Sequence, residues 1–314
     1  MRIDIHAHYY PTGYLDLLER KGSQSARMVR GLGAGSEPVE MEDRLRMMDD
    51  AGIDLQVLSA GQLVPYFETE ADAVEAARLA NDLFAAVVRE YPDRFRSFAV
   101  TPLPHVGASI AEMSRALDEL GMPGVGVTAT VLGSSLADPI FEDFFRELDR
   151  RSAVLFVHPA GSGTGEQTQV FGLAWIIGAP FEDTFAALHL VLSGLTTRYP
   201  NIRVIIPHLG GTLPFLMQRI DNLYTSRVAG DLSEPPSSLA GRLWYDTVAH
   251  GHIPALRCAF DTFGSGRLLL GTDFPYTRWE HFKREVTYIQ DSGLPREDIQ
   301  AIQDENAQDL LGLA

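Results

Sequence analysis

Short β-rich runs alternating with longer amphipathic stretches constrain this chain more than any other feature. Eight such runs stand at 2–8, 55–60, 95–102, 124–129, 154–159, 202–209, 243–249 and 268–273. Between them lie segments such as ADAVEAARLANDLFAAVVREYP, DPIFEDFFRELDRR and FEDTFAALHLVLSGLTTRYP, whose apolar residues recur at helical spacing and which end at Gly, Pro or Arg-Tyr-Pro signals. A strand followed by a helix, eight times over, predicts an α/β chain closed into a (β/α)8 TIM barrel. A doubly wound open sheet is the alternative. With 314 residues and 45% hydrophobic side chains the chain can bury a full core, and it reads as one domain over 1–314. Residues 13–40, with Gly22, Gly31, Gly33 and Gly35 among arginines, read as a small N-terminal insertion, a loop or hairpin over the C-terminal face of the barrel. Residues 162–180 read as a long loop after the fifth strand that shapes the active site.

The polar residues that end the apolar runs carry the chemistry. His6 and His8 close the first run in IDIHAH, His158 the fifth in LFVHPA, His208 the sixth in RVIIPHLGG and Asp273 the eighth in LLLGTDFP. Side chains two apart on a strand share a face, so His6 and His8 project together. In a barrel the carboxyl ends of all strands converge on one mouth. One strand-end histidine alone reads as structural, and Asp273 alone as a turn-former or helix cap. Five such groups on four strands predict a metal centre. The one cysteine, Cys258, excludes a thiolate cluster, so the ligands are nitrogen and oxygen. His6, His8, His158 and Asp273 suit one divalent ion, zinc or in its place manganese, whose bound water would be acidified; His208 is then the acid/base beside that water. Binuclear hydrolases of this design bridge two metals with a carboxylated lysine from strand four. Here that strand reads GVGVTAT, and the only lysines are Lys21 and Lys283, so one ion is expected. His105, His189 and His281 read as structural, while His250 and His252 form a second HxH at a loop or helix entry, His250 supporting the ligands from behind.

The formal charge of −16 repels phosphate backbones and argues against a nucleic-acid partner. A small anionic substrate would need concentrated local positive charge in the same field. No run reaches the roughly 20 apolar residues of a membrane span, and no basic stretch with an apolar signal core opens the chain. These features, with the single cysteine, predict a cytoplasmic protein without a membrane partner.

IDIHAHYYP, LFVHPA, VIIPHLGGTLPFLMQR and LLLGTDFPY, in that order, resemble the amidohydrolase superfamily, in the branch typified by 2-amino-3-carboxymuconate 6-semialdehyde decarboxylase. The resemblance extends through RMMDDAGIDLQVLS and PFEDTFAALHLVLSGLTTRYP to nearly the whole chain. It implies that His6, His8, His158 and Asp273 hold the metal and that His208 is the catalytic histidine. Arg219, eleven residues after His208, matches an arginine that reaches a substrate carboxylate, often in the neighbouring subunit's site; Arg27, in ARMVR, resembles a second. A homodimer follows from the resemblance alone. Ala160 and Gly161 stand after His158 where the semialdehyde decarboxylase has tryptophan and aspartate, and the inserted segment is shorter, which brings the chain nearer to 6-methylsalicylate-type and other aromatic acid decarboxylases. The implied activity is metal-dependent, non-oxidative decarboxylation of a small aromatic or unsaturated carboxylic acid, with Arg219 fixing a charged group, Asp273 or the metal water relaying a proton through His208, and Phe171 and Trp175 walling the pocket. A hydrolase or hydratase using the same water as nucleophile is the alternative. A deaminase would need a glutamate close after a barrel histidine, and no HxxE motif is present.

Overall fold

The computed structural model describes residues 1–163, 165–227 and 232–313. Its eight parallel barrel strands are Ile3–His8, Leu55–Ser59, Phe95–Ser97, Gly124–Thr128, Val154–His158, Arg203–Ile206, Trp244–Asp246 and Leu268–Leu269. The first three pair in sequence order, as do the last five. Bridges between Ala99 and Val125 and between Ala7 and Phe274 join the two groups, and His8 N donates to Phe274 O at 2.7 Å. The sheet is therefore a closed barrel and not an open doubly wound one.

Several strands are shorter than their apolar runs. The third stops at Ser97 because the buried Asn81 amide, on helix Glu70–Glu90, takes over Val100: Asn81 Oδ1 accepts from Val100 N at 2.9 Å and Nδ2 donates to Val100 O at 3.0 Å. The sixth stops before Pro207, which has no N–H to give a ladder. Inside the barrel, Ile3, Ile5, Leu55, Val57, Phe98, Val154, Phe156, Ile205 and Leu269 pack together, joined by Ala307 and Leu310 from helix Asn306–Leu311. Gln308 of that helix reaches Met1 O at 3.1 Å, so the helix covers the end opposite the histidines.

A β-bulge in the first strand aims the site. Ile3 and Asp4 pair with Leu55 and Gln56, yet Ala7 and His8 pair with Leu58 and Ser59, so two residues of the first strand oppose one of the second. The extra residue reverses the alternation. Ile3 and Ile5 point into the barrel, and beyond the bulge His6 and His8 take over that direction, the His6 ring lying edge-on to Phe156 at 5.1 Å.

Residues 13–40 do not form a hairpin. They build helices Thr12–Arg20 and Gln24–Met28 and the start of helix Pro38–Ala51. The segment 162–180 is largely helical as well. A π-helical turn at Ala174–Gly178 runs into helix Ala179–Leu192. The joined helix Ala174–Leu192 is, by length and composition, long and apolar enough to cross a membrane, contrary to the sequence expectation, and half of it is buried in the protein.

Helix Pro38–Ala51 carries Arg44, a buried cation without an acidic partner among the described residues. Its guanidinium donates to the His8 carbonyl and lies 4.3 Å from the Phe274 ring centroid. Burial pulls its pKa down to about 10. In Arg44→Met the packing is kept but the His8 carbonyl loses its donor. We expect a loss of about 1–3 kcal/mol in denaturant unfolding; an unchanged midpoint and slope would show that the contact contributes nothing.

Candidate active site

The first, fifth and eighth strands deliver His6, His8, His158 and Asp273 to one point: their donor atoms lie within 4.8 Å of one another. All four residues are buried, Asp273 the least so at 8% exposed. Each histidine has its Nδ1 engaged elsewhere. His6 Nδ1 faces Asp246 Oδ2 at 2.7 Å, His8 Nδ1 faces Ser59 Oγ at 2.9 Å, and His158 Nδ1 faces Pro159 O at 2.8 Å. That leaves three Nε2 atoms directed at the shared centre, the arrangement in which outer partners fix a ligand's tautomer and ring orientation. His6 Nε2 is buried without a hydrogen bond and looks at Asp273 Oδ1 from 3.3 Å; His8 Nε2 looks at the same oxygen from 3.0 Å. An orphaned buried nitrogen, two more imidazoles and a carboxylate are a donor set that fits one divalent cation.

The electrostatics agree. Burial drives His8 down to about 4 and His158 well below its ordinary range, so both are the neutral imidazoles that ligation requires. Burial also pushes His6 down, but Asp246 and Asp273 more than reverse this and hold it up to about 9. Two carboxylates that retain a proton there would equally favour a metal ion.

Backbone conformation at the site is unusual for non-glycine residues. Asp273 has φ +60° and His208 φ +51°. Such left-handed backbone is tolerated where a site requires the side-chain direction it gives. Gly271 is needed for a different reason: a Cβ there would lie 3.0 Å from Asp246 Cβ and 3.1 Å from His6 Cβ.

His208 lies beside the cluster, its ring 5.4 Å from that of His6 and its Nε2 3.9 Å from Asp273 Oδ2. Its Nδ1 faces Asp183 Oδ2 at 2.8 Å and its backbone N donates to Asp246 Oδ1 at 2.9 Å. Burial alone would lower its pKa; Asp183 and Asp273 more than offset this and hold the imidazolium well above its ordinary range.

Sequence reasoning missed this supporting layer. Asp246 ties His6 to the His208 backbone, and Asp183 orients the His208 ring. Its neighbour Glu182 accepts from Ala160 N at 2.5 Å, Gly161 N at 3.1 Å and Gly163 N at 2.6 Å, holding the loop that follows His158. Asp246 carried a readable signal, since it too ends a barrel strand. Asp183 and Glu182 did not, lying in what reads as an ordinary amphipathic helix.

Above the cluster opens a cavity of about 1110 Å³ whose polar floor includes His158, His208 and Asp273. Trp175 lines it, covering Gly161, where a Cβ would meet the indole at 2.2 Å. Ser25, Met28, Val29 and Leu32 line it from the N-terminal segment, and His250 and His252 stand exposed at its rim. Three residues expected at the substrate lie outside this chain's own cavity, Arg219 among them, which the resemblance places often in the neighbouring subunit's site. Phe171 sits in a turn at φ +56° that carries its ring outward, 88% exposed. Arg27 points away from the cavity on its helix, its side chain 72% exposed and 3.7 Å from Glu19. Arg219 is exposed one helical turn beyond Phe215 and is not among the lining residues.

The family model described as amidohydrolase matches residues 3–313. The chain is 28% identical over 297 residues to 2-amino-3-carboxymuconate-6-semialdehyde decarboxylase of Dictyostelium discoideum, covering 88% of this chain and 82% of that protein. It is 28% identical over 306 residues to 6-methylsalicylic acid decarboxylase of Penicillium expansum, covering 94% and 91%. The fold matches the crystal structure of dihydroxybenzoic acid decarboxylase from Polaromonas sp., which holds manganese and the inhibitor 2-nitroresorcinol, with a TM-score of 0.84, 24% identity, and coverage of 99% and 97%. With a family model that spans the barrel from its first strand to its last helix, and with three histidines and an aspartate gathered at the barrel mouth, this chain belongs to the amidohydrolase family.

Proposed function

We propose that this protein is a metal-dependent, non-oxidative decarboxylase of small aromatic carboxylic acids. The observation that carries the reading is the set of three Nε2 atoms and one carboxylate facing a single point, with the His208–Asp183 pair alongside. His6, His8, His158 and Asp273 would hold one divalent ion, zinc or manganese; when bound, it supplies positive charge for the substrate's carboxylate or an ortho oxygen.

Decarboxylation must replace the carbon–carboxylate bond with a carbon–hydrogen bond, releasing carbon dioxide and consuming one proton. His208 is placed to supply that proton. Its Nδ1 is engaged by Asp183 and its Nε2 faces the cavity floor. Asp273 divides its oxygens: Oδ1 faces the two first-strand histidines, and Oδ2 faces His208. A proton leaving His208 Nε2 therefore has an adjacent carboxylate to stabilise the donor before transfer. Trp175 and the apolar walls limit water at the reacting carbon.

The reading includes a cytoplasmic homodimer. Ile177, Phe181, Phe185 and Leu192 leave apolar side chains in solvent along the joined helix Ala174–Leu192, which supports a partner surface there. The reaction is tested by incubating metal-loaded protein with hydroxybenzoic acids in deuterium oxide. Released carbon dioxide with deuterium at the vacated ring carbon is expected; entry of labelled solvent oxygen into product without carbon dioxide would establish hydrolysis or hydration instead.

A further inference from the structure

We infer that Asp4 is a positioning residue of the metal centre: its carboxylate holds the bulge that turns His6 inward and ties that bulge to the backbone leading into Asp273. The inference rests on the proposed reading only for the ion; the reaction does not enter it.

Asp4 uses its full hydrogen-bonding capacity at this junction. An ionised carboxylate offers about four acceptor positions on its two oxygens. Oδ1 accepts from His6 N at 3.1 Å and from Thr272 N at 3.0 Å, while Oδ2 accepts from Thr272 Oγ1 at 2.6 Å and from Gln56 Nε2 at 2.7 Å. The residue is fully buried and does not line the cavity, so neither solvent nor a second copy of the chain competes for these oxygens.

The donors mark the place where the ladder between the first and eighth strands breaks. Before the break Ile5 N donates to Leu270 O, and after it His8 N donates to Phe274 O. Three steps along the first strand therefore match four along the eighth segment, whereas on the other side the bulge sets three steps against two of the second strand. Thr272 N meets the Asp4 carboxylate where a regular ladder would give it a carbonyl. The bond from His6 N to the side chain two residues earlier is the local kind that competes with regular strand pairing.

Both ligands feel the consequence. Asp273, at φ +60°, follows directly on Thr272, and its N donates to His6 O at 2.8 Å. His6 Nε2 then stands 3.3 Å from Asp273 Oδ1. Asp4 thus sets the spacing of two donor atoms through the backbone behind them. Gln56 decides which substitution is tolerated, because its Oε1 is buried without a hydrogen bond. In Asp4→Asn the two bonds to Oδ1 remain, and the new amide donates to Gln56 Oε1 once the Gln56 amide turns over. Asp4→Ala leaves all four donors without their acceptor.

The test uses full-length protein stripped of metal and reloaded with cobalt(II). Affinity is measured by competition against a chelator, coordination geometry by the visible absorption of the bound cobalt, and stability by unfolding of the metal-free protein. Asp4→Ala is expected to lower affinity about 10- to 100-fold and to shift the cobalt bands. Asp4→Asn is expected to lose less than tenfold and to keep the parent's spectrum. Lower stability of metal-free Asp4→Ala with the parent's affinity and spectrum, or an Asp4→Asn as weak as Asp4→Ala, overturns the inference. If Asp4→Ala does not fold, Thr272→Val removes one of the four donors at nearly constant shape. It should weaken binding about three- to tenfold, the equivalent of one hydrogen bond, and an unchanged affinity overturns the inference. No substrate enters these measurements. A parent that binds cobalt as expected but decarboxylates no acid would refute the decarboxylase reading and leave the role of Asp4 standing; a decarboxylating parent whose Asp4→Ala variant binds metal equally well would do the reverse.

Discussion

In a His208→Asn variant, kcat for decarboxylation is expected to fall about 1000-fold while the protein keeps its full complement of metal, the loss typical of removing a positioned proton donor. The geometry separates the two roles. His208 Nε2 is 3.9 Å from Asp273 Oδ2, and it lies outside the group whose donor atoms converge within 4.8 Å. Metal content by mass spectrometry and single-turnover rates together decide the matter. Asp183→Asn is expected to follow the same pattern with a smaller loss, because the amide cannot hold a proton on His208 as the buried carboxylate does. Activity within tenfold of the parent in His208→Asn would assign proton delivery to another group.

Asp246→Ala is expected to weaken metal binding about 10- to 100-fold, although Asp246 is not a ligand. Its Oδ2 fixes the His6 ring at 2.7 Å, and its Oδ1 accepts from the backbone N of both His208 at 2.9 Å and Val248 at 3.0 Å. Without it, His6 is free to change tautomer and His208 loses an anchor, so affinity and rate decline together. Competition against a chelator measures the first effect, and thermal unfolding with and without metal checks that the protein remains folded. An affinity equal to the parent's would mean that packing alone orients His6.

The barrel was legible because each of its units is local. Ile3, Ile5, Val154 and Phe156 alternate as a strand must, and the residues between strands repeat at helical spacing, so neither needed a distant partner to be recognised. The ligands were legible because barrel geometry brings strand ends together whatever loops connect them. The bulge between Asp4 and Ala7 was not, since nothing in IDIHAH distinguishes a bulged strand from a regular one; the register is set by the neighbouring Leu55–Ser59 strand. That Arg27, Arg219 and Phe171 stand outside this chain's own cavity was not legible for a related reason. Whether a side chain on a helix or turn faces a cavity depends on how that element is rotated against the barrel, which residue type and spacing do not encode.

By itself, then, the order of residues determined an eight-unit barrel with three histidines and an aspartate at one end, because strand periodicity and strand ends are properties of short segments. Only the tertiary structure decided which nitrogen of each histidine is free, that Asp183 and Asp246 stand behind the site, and that the cavity above it is walled largely by apolar side chains. Those features arise from side chains far apart in sequence brought within hydrogen-bonding distance, and a buried carboxylate acquires its role from the partner it meets.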